Sequence, residues 1–151
     1  MKRLYERIMI LPDVWATCVQ SDKFKTGCLS VSLLRPLCRE EASANALIPT
    51  VLLRGCEGQP DIRSISAFLD DHYGAGVGTL VRKKGEVQST GMYVDFLEDR
   101  FTLGGERLLE SMIDFLSRLL LNRSRERPLR RSICQRREAE SHQCHRRARQ
   151  R

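Results

Sequence analysis

The chain has 151 residues, of which 41% are hydrophobic and 6% aromatic, and its net charge is +7. This length fits one globular domain, and no apolar run approaches the roughly 18 to 20 residues of a membrane span, which excludes a helical membrane protein. Residues 123–151 carry eleven arginines and three glutamates, a net +8 that leaves −1 for residues 1–122, so the basic character belongs to the tail alone.

The N-terminal stretch contains no export signal, because the apolar run from Ile8 to Leu11 is broken by Pro12 and is shorter than the about 7 to 15 apolar residues of a signal peptide. The cysteines show no C-x-x-C pairing, which is typical of reduced thiols in a cytosolic chain. We therefore predict a cytoplasmic protein and interpret its thiols as small buried side chains or spectators. They are Cys18, Cys28, Cys38, Cys56, Cys134 and Cys144.

Two strands are predicted first along the chain. The run 14–20, "VWATCVQ", and the run 24–34, "FKTGCLSVSLL", are rich in β-branched residues and partly alternate between apolar and polar side chains. The polar "SDK" between them resembles a turn. We therefore predict that these two strands pair as a hairpin.

Two helices follow. Apolar residues at three- and four-residue spacing predict a helix over residues 40–54, with Gly55 just past its end. Pro49 lies inside this helix, where it removes one backbone hydrogen bond, so we expect a kink or a split. Pro60 and Asp61 begin a second helix over residues 61–73, which ends at Gly74.

Two alternating runs, 79–84 and 92–96, predict antiparallel strands joined near residues 84–86. A last helix is predicted over residues 105–121. Together these elements predict an α+β fold in which a mainly antiparallel sheet is covered on one face by helices. The broad apolar stripe of the last helix consists of Leu108, Leu109, Met112, Ile113, Leu116, Leu119 and Leu120.

Beyond Asn122 the periodic pattern stops, and residues 123–151 contain almost no large apolar side chain. Such a segment cannot build a core. We therefore predict a folded domain over residues 1–122 and a disordered, arginine-rich tail over residues 123–151. We interpret the tail as the product of a shifted reading frame, and a tail that binds phosphates nonspecifically is the alternative.

The order of elements resembles one known family. Residues 46–55 read "ALIPTVLLRG", and after a short connection "SISAFLDDHYGAGVGTLVRKKGE" supplies a second helix and the start of a hairpin. This arrangement is similar to the insulinase/pitrilysin-like metallopeptidases, whose zinc site is an inverted H-x-x-E-H motif on the first helix. The resemblance covers residues 23–122 and implies their α+β peptidase domain, of which this chain holds most of one copy.

The resemblance also locates a zinc site that this chain lacks. It places Ala46 and Thr50 at the two histidine positions and Pro49 at the catalytic glutamate. Two imidazoles one helical turn apart converge on zinc, and the carboxylate deprotonates the metal-bound water. Alanine and proline offer no ligand or base, and a threonine hydroxyl is a poor one. We therefore predict no catalytic residue, no metal and no cofactor.

The resemblance is strongest to catalytically silent bacterial members associated with modification of elongation factor P. It implies a non-catalytic peptidase homologue that works with an active homologous subunit or holds a peptide segment as an added strand. The alternatives are a zinc-dependent endopeptidase whose site is completed elsewhere and a nucleic-acid-binding protein that uses its basic tail.

Other polar clusters in the sequence have weaker support as sites. His72 stands beside Asp70 and Asp71, and we interpret it as a helix-end histidine rather than a base. The "GAGVG" of residues 74–78 follows a helix and precedes a strand, the reverse of a phosphate-binding loop. Ser64 and Ser66 lack a partnered base. In the tail, Cys134, His142, Cys144 and His145 match no zinc-finger spacing.

Overall fold

The computed structural model describes residues 5–121 and begins with a two-stranded hairpin. Strand β1 (Tyr5–Leu11) pairs antiparallel with β2 (Val14–Val19), and Leu11 lies opposite Val14 across a two-residue turn. Asp13, in that turn, has a φ of 62°. Positive φ in a two-residue connection matches the twist of the strands that it joins.

The predicted pairing of residues 14–20 with residues 24–34 is therefore wrong. Both strands exist, but β2 pairs with β1, and the segment Gln20–Lys25 carries the chain to a different sheet. The missed signal is the Pro12-Asp13 dipeptide between two apolar runs, a strong turn signal. Pro12 thus begins a turn as well as interrupting the apolar run.

The main sheet contains β3 (Thr26–Pro36), β4 (Gly76–Lys84) and β5 (Val87–Leu97) in the order β3-β5-β4, all antiparallel. β3 and β5 pair along their whole length, from Thr26 opposite Leu97 to Pro36 opposite Val87. β4 and β5 form the predicted hairpin, which turns at Gly85 with a φ of 57°. That hairpin is confirmed.

Three helices accompany the sheet: α1 (Ala42–Leu52), α2 (Ile62–Asp71) and α3 (Leu108–Leu121). The sequence predicts all three. A short 3-10 turn over Asp99–Phe101 follows β5. The predicted split of α1 does not occur, because the helix is continuous through Pro49. Pro49 lies in the last turn, so it removes one bond near the helix end while its own carbonyl still accepts from the Leu53 amide.

Local hydrogen bonds fix both ends of α2. The Asp61 carboxylate accepts from the Ser64 amide at 2.8 Å, and the Ser64 hydroxyl oxygen accepts from the Asp61 amide at 3.2 Å. This reciprocal capping box satisfies amides that the first turn leaves without helical partners. Beyond the helix, Tyr73 and Gly74 both have positive φ, which turns the chain into β4.

The core lies between the helices and one face of the sheet. Met92, Val94 and Phe96 alternate along β5 toward the helices, as the sequence predicts. From α3 the buried side chains include Phe115, which the predicted stripe omitted, whereas Leu109 and Ile113 of that stripe are exposed. The stripe is therefore narrower than predicted and centred on a different residue. Core members from the other elements and from α3 are Cys56, Ile65, Leu69, Leu108, Met112, Leu116 and Leu119.

The predicted α+β class is confirmed: helices cover one face of the antiparallel three-stranded sheet, which we call the inner face, and the opposite side is the outer face. Over residues 5–121, none of the helices is both long and apolar enough to cross a bilayer. The predictions made for residues 123–151, including the tail cysteines and histidines, lie outside the described residues.

Candidate functional site

Helix α1 carries the three positions at which the resemblance places a zinc site. Ala46 and Thr50 are half-buried, and Pro49 is buried. Residues four apart lie on the same side of a helix one turn apart, so Ala46 and Thr50 share a face. Across residues 5–121 no group of three or more histidine, cysteine, aspartate or glutamate side chains is placed to hold a metal.

A groove of about 600 Å³ opens beside this turn of α1. It lies where the end of α1, the face of α2 and the start of β4 meet. Its charged members are Arg54 and Asp70, and Ile65 and Leu69 supply apolar walls. The groove therefore offers mixed chemistry beside Thr50. Its remaining lining residues are Thr50, Leu53, Ile62, Ser66, Ala75, Gly76 and Val77.

Strand β4 runs from this groove along the border of the sheet. Within residues 5–121 it pairs with β5 on one side only, because the strand order ends at β4. Gly76 and Val77, the first two residues of β4, line the groove. The unpaired edge of a strand presents backbone donors and acceptors to an incoming chain. The groove and a free strand edge are therefore continuous.

A second groove, of about 480 Å³, lies on the outer face of the sheet. The helices do not cover this face. Its residues come from alternate positions of the three strands, which point away from the core. They are Cys28, Ser30, Ser32, Leu80, Arg82, Lys84, Ser89, Tyr93 and Asp95.

Cys28 and Asp95 face each other across β3 and β5 at one end of this outer groove. Partial burial, together with a hydrogen bond to the Asp95 carboxylate and the negative charge of that group, raises the pKa of the Cys28 thiol to about 11. A thiol with this pKa is protonated at neutral pH. Cys28 is therefore a poor nucleophile despite its exposure.

We expect alkylation of Cys28 by iodoacetamide to increase with pH toward a midpoint near pH 11, because only the thiolate reacts. Asp95→Asn removes the negative charge that disfavours the thiolate, so the pKa falls and the rate at pH 8 rises by about three- to tenfold. Peptide mass spectrometry after timed alkylation measures the rate at Cys28 alone. Glu98→Gln, an equal charge change at the end of the strand, should leave it unchanged. Equal rates for Asp95→Asn and the unmodified chain would contradict the assigned cause.

The structure also places the other candidates. His72 caps the end of α2, where its Nδ1 lies 2.7 Å from the Phe68 carbonyl oxygen and its ring lies 4.1 Å from the Phe68 ring. Ser64 is occupied in the capping box. Both have structural roles. Of the described cysteines, Cys56 is buried, and burial raises the pKa of its thiol. Cys18, Cys28 and Cys38 are exposed, so of the two predicted roles, buried side chain or spectator, burial applies to Cys56 among the described cysteines.

Sequence reasoning missed both grooves, because each depends on which helices and strands pack side by side. A signal was present for the outer one: Ser30 and Ser32 alternate along β3, and Arg82 and Lys84 alternate along β4. Alternation predicts that each pair shares a face. It does not predict that the two faces coincide, which requires the order β3-β5-β4.

No family model matches the chain. Over 107 residues it is 31% identical to a Bacillus subtilis (strain 168) protein named "Probable inactive metalloprotease YmfF", a match that covers 71% of this chain and 25% of that protein. The fold is similar to the crystal structure of a conserved protein from Enterococcus faecalis V583, with a TM-score of 0.75 and 22% identity. That similarity covers 80% of this chain and 28% of the other.

The name of the Bacillus protein agrees with the prediction of a peptidase homologue that is not an enzyme, which rested on Ala46, Pro49 and Thr50. The similarity to the Enterococcus structure is one of fold. The chain spans about a quarter of the length of each of these two proteins. Over most of its length, the chain is therefore similar in sequence to a protein named as a probable inactive metalloprotease.

Proposed function

We propose that this chain is a non-catalytic peptidase homologue that acts by binding a polypeptide, either a peptide segment or a homologous active peptidase subunit. One observation carries the proposal: the turn of α1 at which the resembling peptidases hold zinc presents a methyl group, a proline ring and a hydroxyl. The sequence match to a protein named as an inactive metalloprotease supports the same conclusion.

Chemistry at this turn argues against peptide hydrolysis. A zinc peptidase needs protein ligands for the metal and a base for the metal-bound water. Ala46 and Pro49 supply neither, and Thr50 is a poor ligand. The nearby carboxylate is Asp70 in the adjoining groove, and it has no imidazole pair beside it among residues 5–121. The groove can thus bind through its apolar walls and charged groups without activating water.

The geometry of β4 supports polypeptide binding at the sheet border. An added strand takes hydrogen bonds from the free edge, while its alternate side chains enter neighbouring pockets. Because Gly76 and Val77 belong to both the edge and the groove, a segment that pairs with the start of β4 brings a side chain to the groove. Affinity would come from hydrogen bonds to the backbone of β4, and selectivity from side chains that line the groove, such as Ile65 and Leu69.

Placing histidines at the vacated positions tests the site. We expect the Ala46→His/Thr50→His variant to acquire zinc binding, because the two positions share one helix face. With a dissociation constant on the order of 10 μM, 100 μM zinc would stabilise the variant by about 1 to 1.5 kcal/mol. Thermal melts with and without zinc, together with metal analysis after dialysis, measure this effect.

The unmodified chain should show no zinc-dependent stabilisation and no cleavage of a quenched fluorescent peptide. An Ala46→His/Val51→His variant is the matched control, because positions five apart diverge around the helix and cannot share one ion. Stoichiometric zinc and peptide cleavage in the unmodified chain would contradict the proposed function. Equal zinc binding by the two double variants would contradict the assigned face of α1.

A further inference from the structure

Three glycines lie on the outer face of the sheet. Gly76 and Gly78 are opposite Asp95 and Tyr93 in the strand register, and Gly91 is opposite Leu80, so all three lie on the outward-facing side of β4 and β5. Nothing lies within 4 Å of the position that a side chain on Gly76 would take. The Tyr93 ring occupies the space beside Gly78, at 2.5 Å from such a position. The outer face is therefore open beside Gly76, whereas Tyr93 covers it beside Gly78.

Ser89 lies in this groove with its hydrogen-bonding capacity unused. Its side chain is on the outer face, and only 9% of the residue is exposed. It forms no side-chain hydrogen bond to another residue in the range 5–121. The hydroxyl opens into the groove, where it can donate a hydrogen bond to a bound group or accept one from it.

Positive charge lies beside that hydroxyl. Arg82 of β4 is directly opposite Ser89 in the strand register, and Lys84 follows two residues later on the same face. Within the described part of the chain, neither cation forms an ion pair. A guanidinium group beside a hydroxyl matches the two oxygens of a carboxylate, which accepts hydrogen bonds from both.

The groove has opposite charges at its two ends. Asp95 lies six residues from Ser89 along β5, a separation of about 20 Å at the rise of an extended strand. Between these ends the face carries the hydroxyls of Ser30, Ser32 and Tyr93. Hydroxyl groups both donate and accept, so they can serve the amides and carbonyls of an extended backbone.

We propose that the outer face of the three-stranded sheet binds an extended acidic peptide segment, with a carboxylate of that segment held by Arg82 and Ser89. About six residues span the distance from Ser89 to Asp95. The acidic part of the segment lies at the Arg82 end, since Asp95 repels a carboxylate at the other end. This site is separate from the β4 edge and from the vacated turn of α1, so it does not depend on the function proposed there.

The probe is a fluorescein-labelled hexapeptide, Gly-Glu-Glu-Gly-Ser-Gly, whose binding to the full chain is measured by fluorescence polarisation at about 150 mM salt. We expect Arg82→Gln to weaken binding by about tenfold or more, because a charge-assisted bond is lost. Ser89→Ala, a neutral change, should weaken it by about three- to fivefold. The matching peptide with glutamines in place of its glutamates should bind at least about tenfold more weakly.

Lys83→Gln is the matched control. Lys83 neighbours Arg82 on the same strand but faces the other side of the sheet, opposite Gln88, and it carries the same charge. It should change the affinity by less than about twofold. The arginines of residues 123–151 are present in every variant, so any peptide binding that they cause is the same in each measurement.

Three results would overturn the proposal. If Arg82→Gln and Lys83→Gln weaken peptide binding equally, the peptide is attracted by the net charge of the protein and not by this site. If the glutamate and glutamine peptides bind with equal affinity, the site does not recognise a carboxylate. Inorganic phosphate that competes with an affinity equal to that of the peptide would make this a small-anion site and not a peptide site. Circular dichroism of each variant confirms that a lost signal is not lost folding.

Discussion

Replacing Gly91 with alanine is expected to lower the free energy of unfolding by about 3 kcal/mol or more. A methyl group at this position would overlap the Val31 carbonyl oxygen and lie 2.9 Å from the carbonyl carbon. Both atoms are backbone of the paired strand β3, so no rotamer change relieves the contact. β5 is paired on both sides, and β3 can move away only by giving up ladder hydrogen bonds with it. Urea denaturation followed by circular dichroism measures the change.

Gly76→Ala provides the control for Gly91. Gly76 lies in the same sheet and on the same face, yet nothing lies within 4 Å of the position that an added methyl group would take. We expect this change to alter stability by less than about 0.5 kcal/mol. A loss below about 1 kcal/mol for Gly91→Ala would show that β3 and β5 do not approach as closely as their register indicates.

Phe115→Ala is the second large effect, with an expected loss of about 3 to 5 kcal/mol. The Phe115 ring is fully buried and stacks on Phe68 with ring centroids 5.0 Å apart. Removing it leaves a cavity between α2, α3 and the sheet, in addition to the lost burial of an aromatic side chain. The measurement is again the free energy of unfolding in urea.

Leu109→Ala tests whether the burial assignment on α3 is correct. Leu109 and Phe115 are on the same helix, but Leu109 is 44% exposed. Its truncation should therefore lower the free energy of unfolding by less than about 1 kcal/mol. The sequence pattern assigns Leu109 to the core and omits Phe115. A larger loss for Leu109→Ala than for Phe115→Ala would support that pattern against the observed packing.

Local signals are sufficient to predict the helices and the β4–β5 hairpin. Pro60 and Asp61 mark the start of α2, and the turn at Gly85 joins two alternating runs. These features depend on residues close in sequence. The pairing of β3 with β5 joins Pro36 to Val87, 51 residues apart, and no local pattern specifies it. The error over β2 has a different origin, because the turn at Pro12 and Asp13 that pairs β2 with β1 is a local signal that the sequence analysis did not use.

For the candidate sites too, some features can be read from the sequence and others require the structure. The prediction that this turn holds no zinc rests on the identities of Ala46, Pro49 and Thr50, since the lack of imidazole ligands and of a carboxylate base is visible in the sequence itself. The unused hydroxyl of Ser89 and its proximity to Arg82 could not be predicted, because they require the strand register and the burial of the outer groove. Chemistry that is absent follows from composition, whereas chemistry that is assembled follows from topology.

The long separation between β3 and β5 has a consequence for biosynthesis. Closing a hairpin through a two-residue turn is fast, whereas joining segments more than about fifty residues apart carries a larger entropy cost and slows folding. On the ribosome, residues 26–36 emerge well before residues 87–97. Newly made β3 therefore remains without its partner strand until β5 has been synthesised, and an unpaired strand edge favours aggregation during that interval.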